Sequence, residues 1–200
     1  SYYRRIRSAS GLTGAETAKR ILQAAGITDV HVRAISGSLT DHYDPRSKVL
    51  RLSDATYQQT SVAAIGVAAH ECGHAIQHAR GYAPLSIRSA LVPVANFGSS
   101  IAWPLIIGLI MNSQTSQLFL NLGVIAFSMA VLFQIVTLPV ELNASRRALK
   151  ILGNTGMLYP DEVRETRKVL TAAALTYIAG AASAILQLLR LIMISNSRRD

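Results

Sequence analysis

Residues 67–76 read Val-Ala-Ala-His-Glu-Cys-Gly-His-Ala-Ile, and the rest of the chain has to be placed around this stretch. It lies in a proline-free segment, 61–80, that is rich in Ala, Ile and Val and is followed by Gly81, so we expect a helix that ends at this glycine. At about 100° per residue, His70 and His74 fall about 40° apart on one face and one turn apart along the axis. Two imidazoles at that spacing can bind one zinc ion, so the stretch predicts a zinc-binding helix.

Glu71 lies about 100° around this helix from His70, which is an awkward position for a third ligand of the same metal. It can, however, reach a metal-bound water and take its proton, which is the role of a general base. The alternative is a buried helix that happens to carry two histidines. Burying two imidazoles and a carboxylate without a metal or other partners would cost several kcal/mol, so the motif favours a zinc hydrolase.

The composition favours a membrane protein. Half of the 200 residues are hydrophobic and only 16% are charged, and the stretch 89–140 contains no Asp, Glu, Lys, Arg or His. That stretch is long enough for two bilayer crossings of about 20 residues each, predicted at 89–111 and 118–140, and a third uncharged run covers 169–189. The net charge of +9 comes without an aromatic-basic or helix-turn-helix pattern, so membrane topology explains it better than nucleic-acid binding does.

The segment before the zinc helix predicts a short amphipathic helix and a small sheet. Thr13 and Glu16 form a capping-box pattern ahead of an apolar helical stripe. Alternation at 30–34 predicts one strand, and 39–43 with 48–52 predict a hairpin around an Asp-Pro-Arg-Ser turn. Such a sheet either offers an edge strand to a peptide substrate or is purely structural, and the sequence leaves both interpretations open.

The distribution of positive charge predicts which side of the membrane holds the zinc helix. The loop between the first two crossings, 112–117, carries no charge, whereas the segments on the other side are rich in Lys and Arg. The positive-inside rule puts that side in the cytoplasm, so we expect a multi-pass protein of the inner, or plasma, membrane with its active site on the cytoplasmic face. Arg198 and Arg199 depart from the pattern if the run 169–189 crosses completely. The aromatic-basic start at 2–7 is typical of the end of a membrane span, so we expect a further segment before it.

The membrane hairpin also predicts a third zinc ligand. A catalytic zinc takes three protein ligands and keeps one position open. Two crossings return the chain at Glu141, the only acid between Glu71 and Asp161, to the face where the zinc helix ended. His78 is the rival on the same helical face, but it lies about 12 Å from His70 along the axis, which is too far for one metal. We therefore interpret His78 as a residue that braces a ligand or is simply polar.

With these residues in place, the chain resembles the YugP-like family of membrane neutral zinc metallopeptidases, which are gluzincin-like and related in layout to HtpX-type and CAAX-prenyl proteases. The resemblance covers nearly the whole chain. The segments that carry it are 10–14 (Ser-Gly-Leu-Thr-Gly), 39–45 (Leu-Thr-Asp-His-Tyr-Asp-Pro), 70–74 (His-Glu-Cys-Gly-His) and 141–145 (Glu-Leu-Asn-Ala-Ser).

The resemblance implies a zinc site and its catalytic group. Zn²⁺ would be held by His70, His74 and Glu141, and Glu71 would be the catalytic residue. The family also implies a membrane helix ahead of the first residue. HtpX-type enzymes carry an Asp that braces a zinc-bound histidine, and this chain has Ser145 at that position, one turn after Glu141. We expect this neutral hydroxyl to be a weaker brace than a carboxylate.

The expected fold is a mainly α integral membrane protein with a small β-sheet, a gluzincin-like zinc helix and about three transmembrane helices. Its predicted regions are 1–60, with the amphipathic helix and a small substrate-side sheet; 61–88, with the zinc helix; 89–140, with two transmembrane helices; 141–168, with the third-ligand helix and a cytoplasmic segment; and 169–200, with the third membrane helix and a basic tail.

The expected function is that of a membrane-embedded zinc metalloendopeptidase, which hydrolyses peptide bonds of peptides or membrane proteins at the cytoplasmic face of the lipid bilayer. An acyl-transfer reaction of this kind needs a group that stabilises the developing oxyanion. The candidates for that role are His42, Tyr43 and His78. The full set of residues expected to brace a ligand or contact the substrate is Ser145, His78, His42, Tyr43 and Asn143.

Three other functions stay open. A site-2-type intramembrane protease would place the zinc helix inside the bilayer and use a later Asp, but no Asp lies between Asp54 and Asp161. A membrane adaptor or scaffold with a non-catalytic zinc would need four protein ligands, and Cys72, next to Glu71, cannot join both histidines without distorting the helix. A zinc transporter would need polar ligands inside its crossings, and 89–140 offers only Asn, Gln, Ser and Thr.

Overall fold

The computed structural model describes residues 6–111 and 116–197, and the described chain is mainly helical with one small sheet. Its elements, in chain order, are α1 (Gly14–Ala24), β1 (His31–Ile35), β2 (His42–Asp44), β3 (Val49–Ser53), α2 (Asp54–Tyr57), α3 (Val62–Ala79), α4 (Ala83–Met111), α5 (Ser116–Asn154) and α6 (Pro160–Ser197). The chain divides into two compact units. The first combines the residues up to Leu85 with Val140–Ala174, and the second combines Ser86–Pro139 with the residues from Leu175 onward.

The first unit begins with the amphipathic helix and the sheet that the sequence predicts. The capping box forms, because Thr13 Oγ1 accepts from the Glu16 N–H at 3.1 Å and the Glu16 carboxylate accepts from the Thr13 N–H at 3.4 Å. Strand β3 lies in the middle of the sheet, parallel to β1 and antiparallel to β2. The predicted hairpin is therefore β2–β3, and Leu50 and Leu52 of β3 are completely buried in the core.

Helix α3 is mostly buried in the first unit. Ser61 caps its N-terminus by accepting from the Ala64 N–H at 3.2 Å, and Gly81, at φ +62°, turns the chain just after its C-terminus. The helix predicted over 61–80 thus agrees with α3 to within one residue at each end. Completely buried residues of α1, β3, α3 and α5 form one core with it, among them Ile21, Leu50, Ile65, Ala148 and Leu152.

Helices α3 and α5 approach each other closely at a glycine. A Cβ atom added to Gly73 would lie 3.0 Å from Ala144 Cα and nearer still to the Ala144 carbonyl oxygen, so no side chain fits there. The facing residues of α5, Ala144 and Ala148, are small and completely buried. Glu141 and Ser145 lie on α5 beside this contact, so the helix separation that Gly73 permits decides how closely they approach α3.

The long helices differ from the predicted boundaries. Helix α5 is unbroken through Pro139, so the predicted crossing 118–140 and the third-ligand helix form one element. One proline removes a single intrahelical hydrogen bond, which a long apolar helix tolerates. The predicted loop 112–117 is shorter than expected, because Ser116 and Gln117 are already helical, and its other residues lie outside the described part of the chain.

Two described helices are long and apolar enough to cross a membrane, Gln117–Asn154 and Pro160–Ser197, with mean hydropathies of 2.2 and 1.8 in their most apolar windows. Only 17% of each window is buried within the protein, which fits a lipid environment better than water. The other predicted crossing, 89–111, forms most of α4, but several of its side chains lie outside the description, so the expected number of about three stays a prediction. The basic start at 2–5 and the tail with Arg198 and Arg199 also lie outside the described residues.

Replacing Gly73 by Ala should destabilise the first unit, since the added methyl group meets the backbone of α5, which cannot rotate away as a side chain could. We expect a loss of about 1–3 kcal/mol in the free energy of unfolding, measured by thermal or denaturant unfolding in detergent micelles. Gly153→Ala is the matched control, because nothing lies within 4 Å of its added Cβ and the higher helix propensity of Ala should make it neutral or stabilising. Equal stabilities of the two variants would contradict the close α3–α5 contact.

Candidate metal centre

Three side chains with metal-binding chemistry meet where α3 faces α5. His70 Nε2 lies 2.7 Å from Glu141 Oε2, and His74 Nε2 lies 3.3 Å from Glu141 Oε1. The possible ligand atoms of the three residues all lie within 4.8 Å of one another. His74 and Glu141 are buried, whereas His70 is partly exposed, so the cluster is open to solvent on the side of His70.

Ser145, which the sequence predicts to brace a zinc-bound histidine, contacts the second ring nitrogen of His70. His70 Nδ1 lies 2.9 Å from Ser145 Oγ, one turn after Glu141 on α5. The two imidazole rings stand nearly perpendicular to each other, at 88°, with their centroids 4.9 Å apart. Because Ser145 and Glu141 lie on the same face of α5, one helix both orients His70 and supplies the carboxylate next to it.

The second ring nitrogen of His74 contacts Gln77, which the sequence prediction does not include. Gln77 Oε1 lies 2.9 Å from His74 Nδ1, and Gln77 Nε2 donates to the Val140 carbonyl oxygen at 2.9 Å and to Asn143 Oδ1 at 3.0 Å. A backbone carbonyl only accepts, so the Gln77 amide must turn its oxygen toward His74. Gln77 is completely buried, and its position three residues after His74 on the same helical face is the signal that could have identified it.

These contacts decide which nitrogen of His74 carries a proton. Nδ1 has to donate to Gln77 Oε1, so the lone pair of the neutral ring is on Nε2, which faces the Glu141 carboxylate. Two bare acceptors in that position repel each other unless a cation lies between them. Two imidazole nitrogens and one carboxylate are a known ligand set of catalytic zinc sites, so the residues present fit a zinc ion.

Glu71 and Cys72, two of the three residues between the histidines, differ in their surroundings. Glu71, the predicted general base, follows His70 in the same turn of α3 and is 9% exposed. Cys72 is completely buried, and its Sγ donates to the Ala18 carbonyl oxygen at 3.6 Å. Burial raises the pKa of the Cys72 thiol, with a smaller contribution from the charge of Glu71, so the thiol stays protonated and packs in the core.

Tyr43 and His78, two of the further candidates, contact each other. Tyr43 Oη lies 2.8 Å from His78 Nδ1, a contact that joins strand β2 to the last turn of α3. The pKa of Tyr43 is raised to about 12, mainly by burial and to a smaller extent by the negative charges of Asp29 and Asp44. Its hydroxyl therefore stays protonated at neutral pH and can donate a hydrogen bond.

His42 and Asn143, the remaining candidates, have different surroundings. His42 is exposed on β2, and its Nδ1 lies 2.8 Å from a backbone carbonyl oxygen of the preceding turn. Asn143 Oδ1 accepts from Gln77 Nε2 at 3.0 Å and from Arg147 Nε at 2.7 Å. Asn143 thus supports Gln77 and, through it, the ring of His74.

Comparison with known proteins gives the family. A family model described as "putative neutral zinc metallopeptidase" matches residues 1–196. The chain belongs to this family. A "putative membrane protease YugP" from Bacillus subtilis (strain 168) is 46% identical over 198 residues, a match that covers 99% of this chain and 87% of the relative. No solved structure matches the chain significantly. Membership in this zinc metallopeptidase family confirms the resemblance inferred from the sequence and makes Zn²⁺ the cofactor.

Replacing Gln77 by Leu should weaken zinc binding by about 10- to 100-fold, because the ring of His74 would lose the group that orients it. The measurement is the zinc dissociation constant of the metal-free protein by competition with a chelator, independent of any activity. Gln23→Leu, an exposed change of the same chemistry on α1, is the control and should leave zinc affinity unchanged. An unaltered zinc dissociation constant in Gln77→Leu would contradict the role assigned to this amide.

Proposed function

We propose that this protein is a membrane-embedded zinc metalloendopeptidase in which His70, His74 and Glu141 hold the metal and Glu71 is the general base. The observation that carries the proposal is the approach of two imidazole nitrogens and a carboxylate to within 4.8 Å of one another. Bound zinc supplies Lewis-acid chemistry, which polarises the oxygen of a water or of a peptide carbonyl group. Three protein ligands leave a coordination position for that chemistry, as in catalytic rather than structural sites.

The place of Glu71 on α3 supports the role of general base. It directly follows His70 and lies about 100° around the helix from it, which favours a residue beside the ligands over a third ligand of the same metal. In the proposed reaction Glu71 takes a proton from the attacking water and returns it to the amine of the leaving peptide. The attacking water loses one proton and the leaving amine gains one, so the Glu71 carboxylate can transfer this proton without a second acid or base.

The number of ligands favours an enzyme over a scaffold with a structural zinc. Structural zinc sites are closed by four protein ligands, usually including Cys. Among the described residues the metal cluster consists of His70, His74 and Glu141, and Cys72 directs its sulfur at the Ala18 carbonyl oxygen in the core. Cys72 could therefore join His70 and His74 as a ligand only if α3 were distorted.

The proposed substrate lies along strand β2. In the described sheet β2 is an edge strand, and an extended peptide can add to such an edge through main-chain hydrogen bonds that do not depend on its side chains. Glu71 and His78 are seven residues apart and lie within about 20° of each other on α3, so the Tyr43–His78 contact brings β2 to the Glu71 side of the helix. The protonated Tyr43 hydroxyl can donate to a substrate carbonyl at this edge in the tautomer in which His78 Nδ1 is the donor of their contact.

The proposed place of the reaction is the cytoplasmic surface of the membrane. The relative from Bacillus subtilis is named a membrane protease, and two described helices are apolar enough to span a bilayer. The uncharged segment 112–117 contrasts with the many Lys and Arg residues that follow Glu141, which favours a cytoplasmic site by the positive-inside rule. Peptides and membrane proteins with segments exposed at this surface are the proposed substrates.

Replacing Glu71 by Gln should keep zinc binding and reduce peptide cleavage by about 10²–10⁴-fold, because the amide cannot take a proton. Zinc content is measured by elemental analysis, and cleavage is measured with quenched fluorescent peptides in detergent or nanodiscs. Glu165→Gln, a change on α6 at a residue that pairs with Lys168, is the control and should retain full activity. Glu71→Gln protein that cleaves peptides at the parental rate would refute the general-base assignment.

Replacing Tyr43 by Phe should raise KM several-fold while zinc content stays the same, because the ring remains and the hydroxyl that contacts His78 and donates to the substrate is lost. Tyr159→Phe removes a hydroxyl from a tyrosine that is 65% exposed at the start of α6, so it serves as the control. If the two variants have the same kcat/KM, strand β2 is a structural edge and does not contact the substrate at Tyr43.

A further inference from the structure

A cationic cavity of about 450 Å³ lies in the first unit between the end of α1, the end of α3 and the second half of α5. Its lining includes four cations, Arg80 from α3 and Arg146, Arg147 and Lys150 from α5, and it includes no acidic side chain. Ile76 and Ile151 give it an apolar wall. Arg80 lies about 180° around α3 from Glu71, so this cavity is separate from the proposed substrate side.

The charges of this cavity are not neutralised by the described part of the chain. Arg80, Arg146 and Lys150 form no ion pair with any residue in 6–111 or 116–197. Arg146 and Lys150 are one turn apart on α5, a spacing at which like charges destabilise a helix. A bound anion would remove this repulsion, which otherwise has no compensation among the described residues.

Arg147 is already oriented in the cavity by neutral partners. Its Nε donates to Asn143 Oδ1 at 2.7 Å, and its guanidinium lies 5.5 Å from the centre of the Tyr82 ring. Neither contact cancels its charge, and its terminal nitrogens keep donors for a further partner. A guanidinium held in place in this way loses less conformational entropy when it binds a phosphate group.

The cavity follows directly on the apolar part of α5. No charged residue occurs in 89–140, and Arg146 and Lys150 come six and ten residues after Val140. These positions lie about 9 and 15 Å beyond Val140 along the helix. The headgroup layer of a bilayer begins where the hydrocarbon ends and is about 5–8 Å thick on each side, which long Arg and Lys side chains can reach.

We propose that this cavity binds the phosphate group of an anionic phospholipid through Arg80, Arg146, Arg147 and Lys150. Cationic pockets of this kind at the membrane surface bind anionic headgroups, and each Lys or Arg near the surface strengthens the attraction about fivefold. A lipid is preferred to free phosphate because the same helix passes from its apolar part directly into the cavity and because Ile76 and Ile151 suit the apolar portion of a lipid.

The test compares two double variants of equal charge in detergent micelles. Arg146→Gln with Lys150→Gln removes two cations of the cavity, and Arg20→Gln with Arg167→Gln removes two exposed cations outside it. Native mass spectrometry measures binding of phosphatidylglycerol, phosphatidylcholine and inorganic phosphate. We expect the parent and the control to prefer phosphatidylglycerol over phosphatidylcholine, and the cavity variant to bind phosphatidylglycerol at least about tenfold more weakly.

Two results would overturn the proposal. Equal phosphatidylglycerol affinity in the two double variants would mean that net charge, and not the cavity, attracts the lipid. Inorganic phosphate that binds the parent as tightly as phosphatidylglycerol would make free phosphate the ligand. Helix content and zinc content serve as folding checks. If the double variant fails them, Arg146→Gln is compared with Arg167→Gln, with an expected difference of about fivefold.

Discussion

The close backbone contact between Gly73 of α3 and Ala144 of α5 is the constraint on which the metal centre depends. His70 and His74 are held relative to each other by the period of one helix, but Glu141 comes from a distant part of the chain and reaches them only where two helix axes approach closely. Small residues allow that approach. The same packing therefore determines both the stability of the core and the spacing of the three metal-binding side chains.

Buried polar groups on both sides of this contact are paired, which is what makes such a centre compatible with a packed core. Ser145 contacts His70, and Gln77 contacts His74. Gln77 donates to Asn143, which also accepts from Arg147, so a chain of hydrogen bonds joins one arginine of the cationic cavity to the imidazole of His74. The Val140 carbonyl oxygen on α5 fixes the orientation of the Gln77 amide, and the Gln77 amide in turn determines the tautomer of His74.

The sequence predicts the local elements well because their signals are local. The extent of α3, the capping box at Thr13 and the β2–β3 hairpin follow from helical period, capping chemistry and turn residues. Glu141 could be proposed as a third ligand because few acids were available, and its role as a ligand remains a prediction. The position of Gln77 three residues after His74 is a signal for their contact. Its second contact, to the Val140 carbonyl oxygen, could not be predicted, because a backbone partner on another helix leaves no trace in the sequence.

Helix α5 carries both a candidate membrane span and one residue of the candidate metal centre. Its uncharged part ends at Val140, and Glu141 is the next residue. Sliding this helix by one turn, about 5.4 Å, toward the lipid would move Glu141 away from both imidazoles. In a bilayer it would also carry Glu141, the first charged residue after the uncharged part, into hydrocarbon, which is unfavourable for a carboxylate. Both effects oppose the same movement, so insertion of α5 in a bilayer would help to keep Glu141 beside His70 and His74.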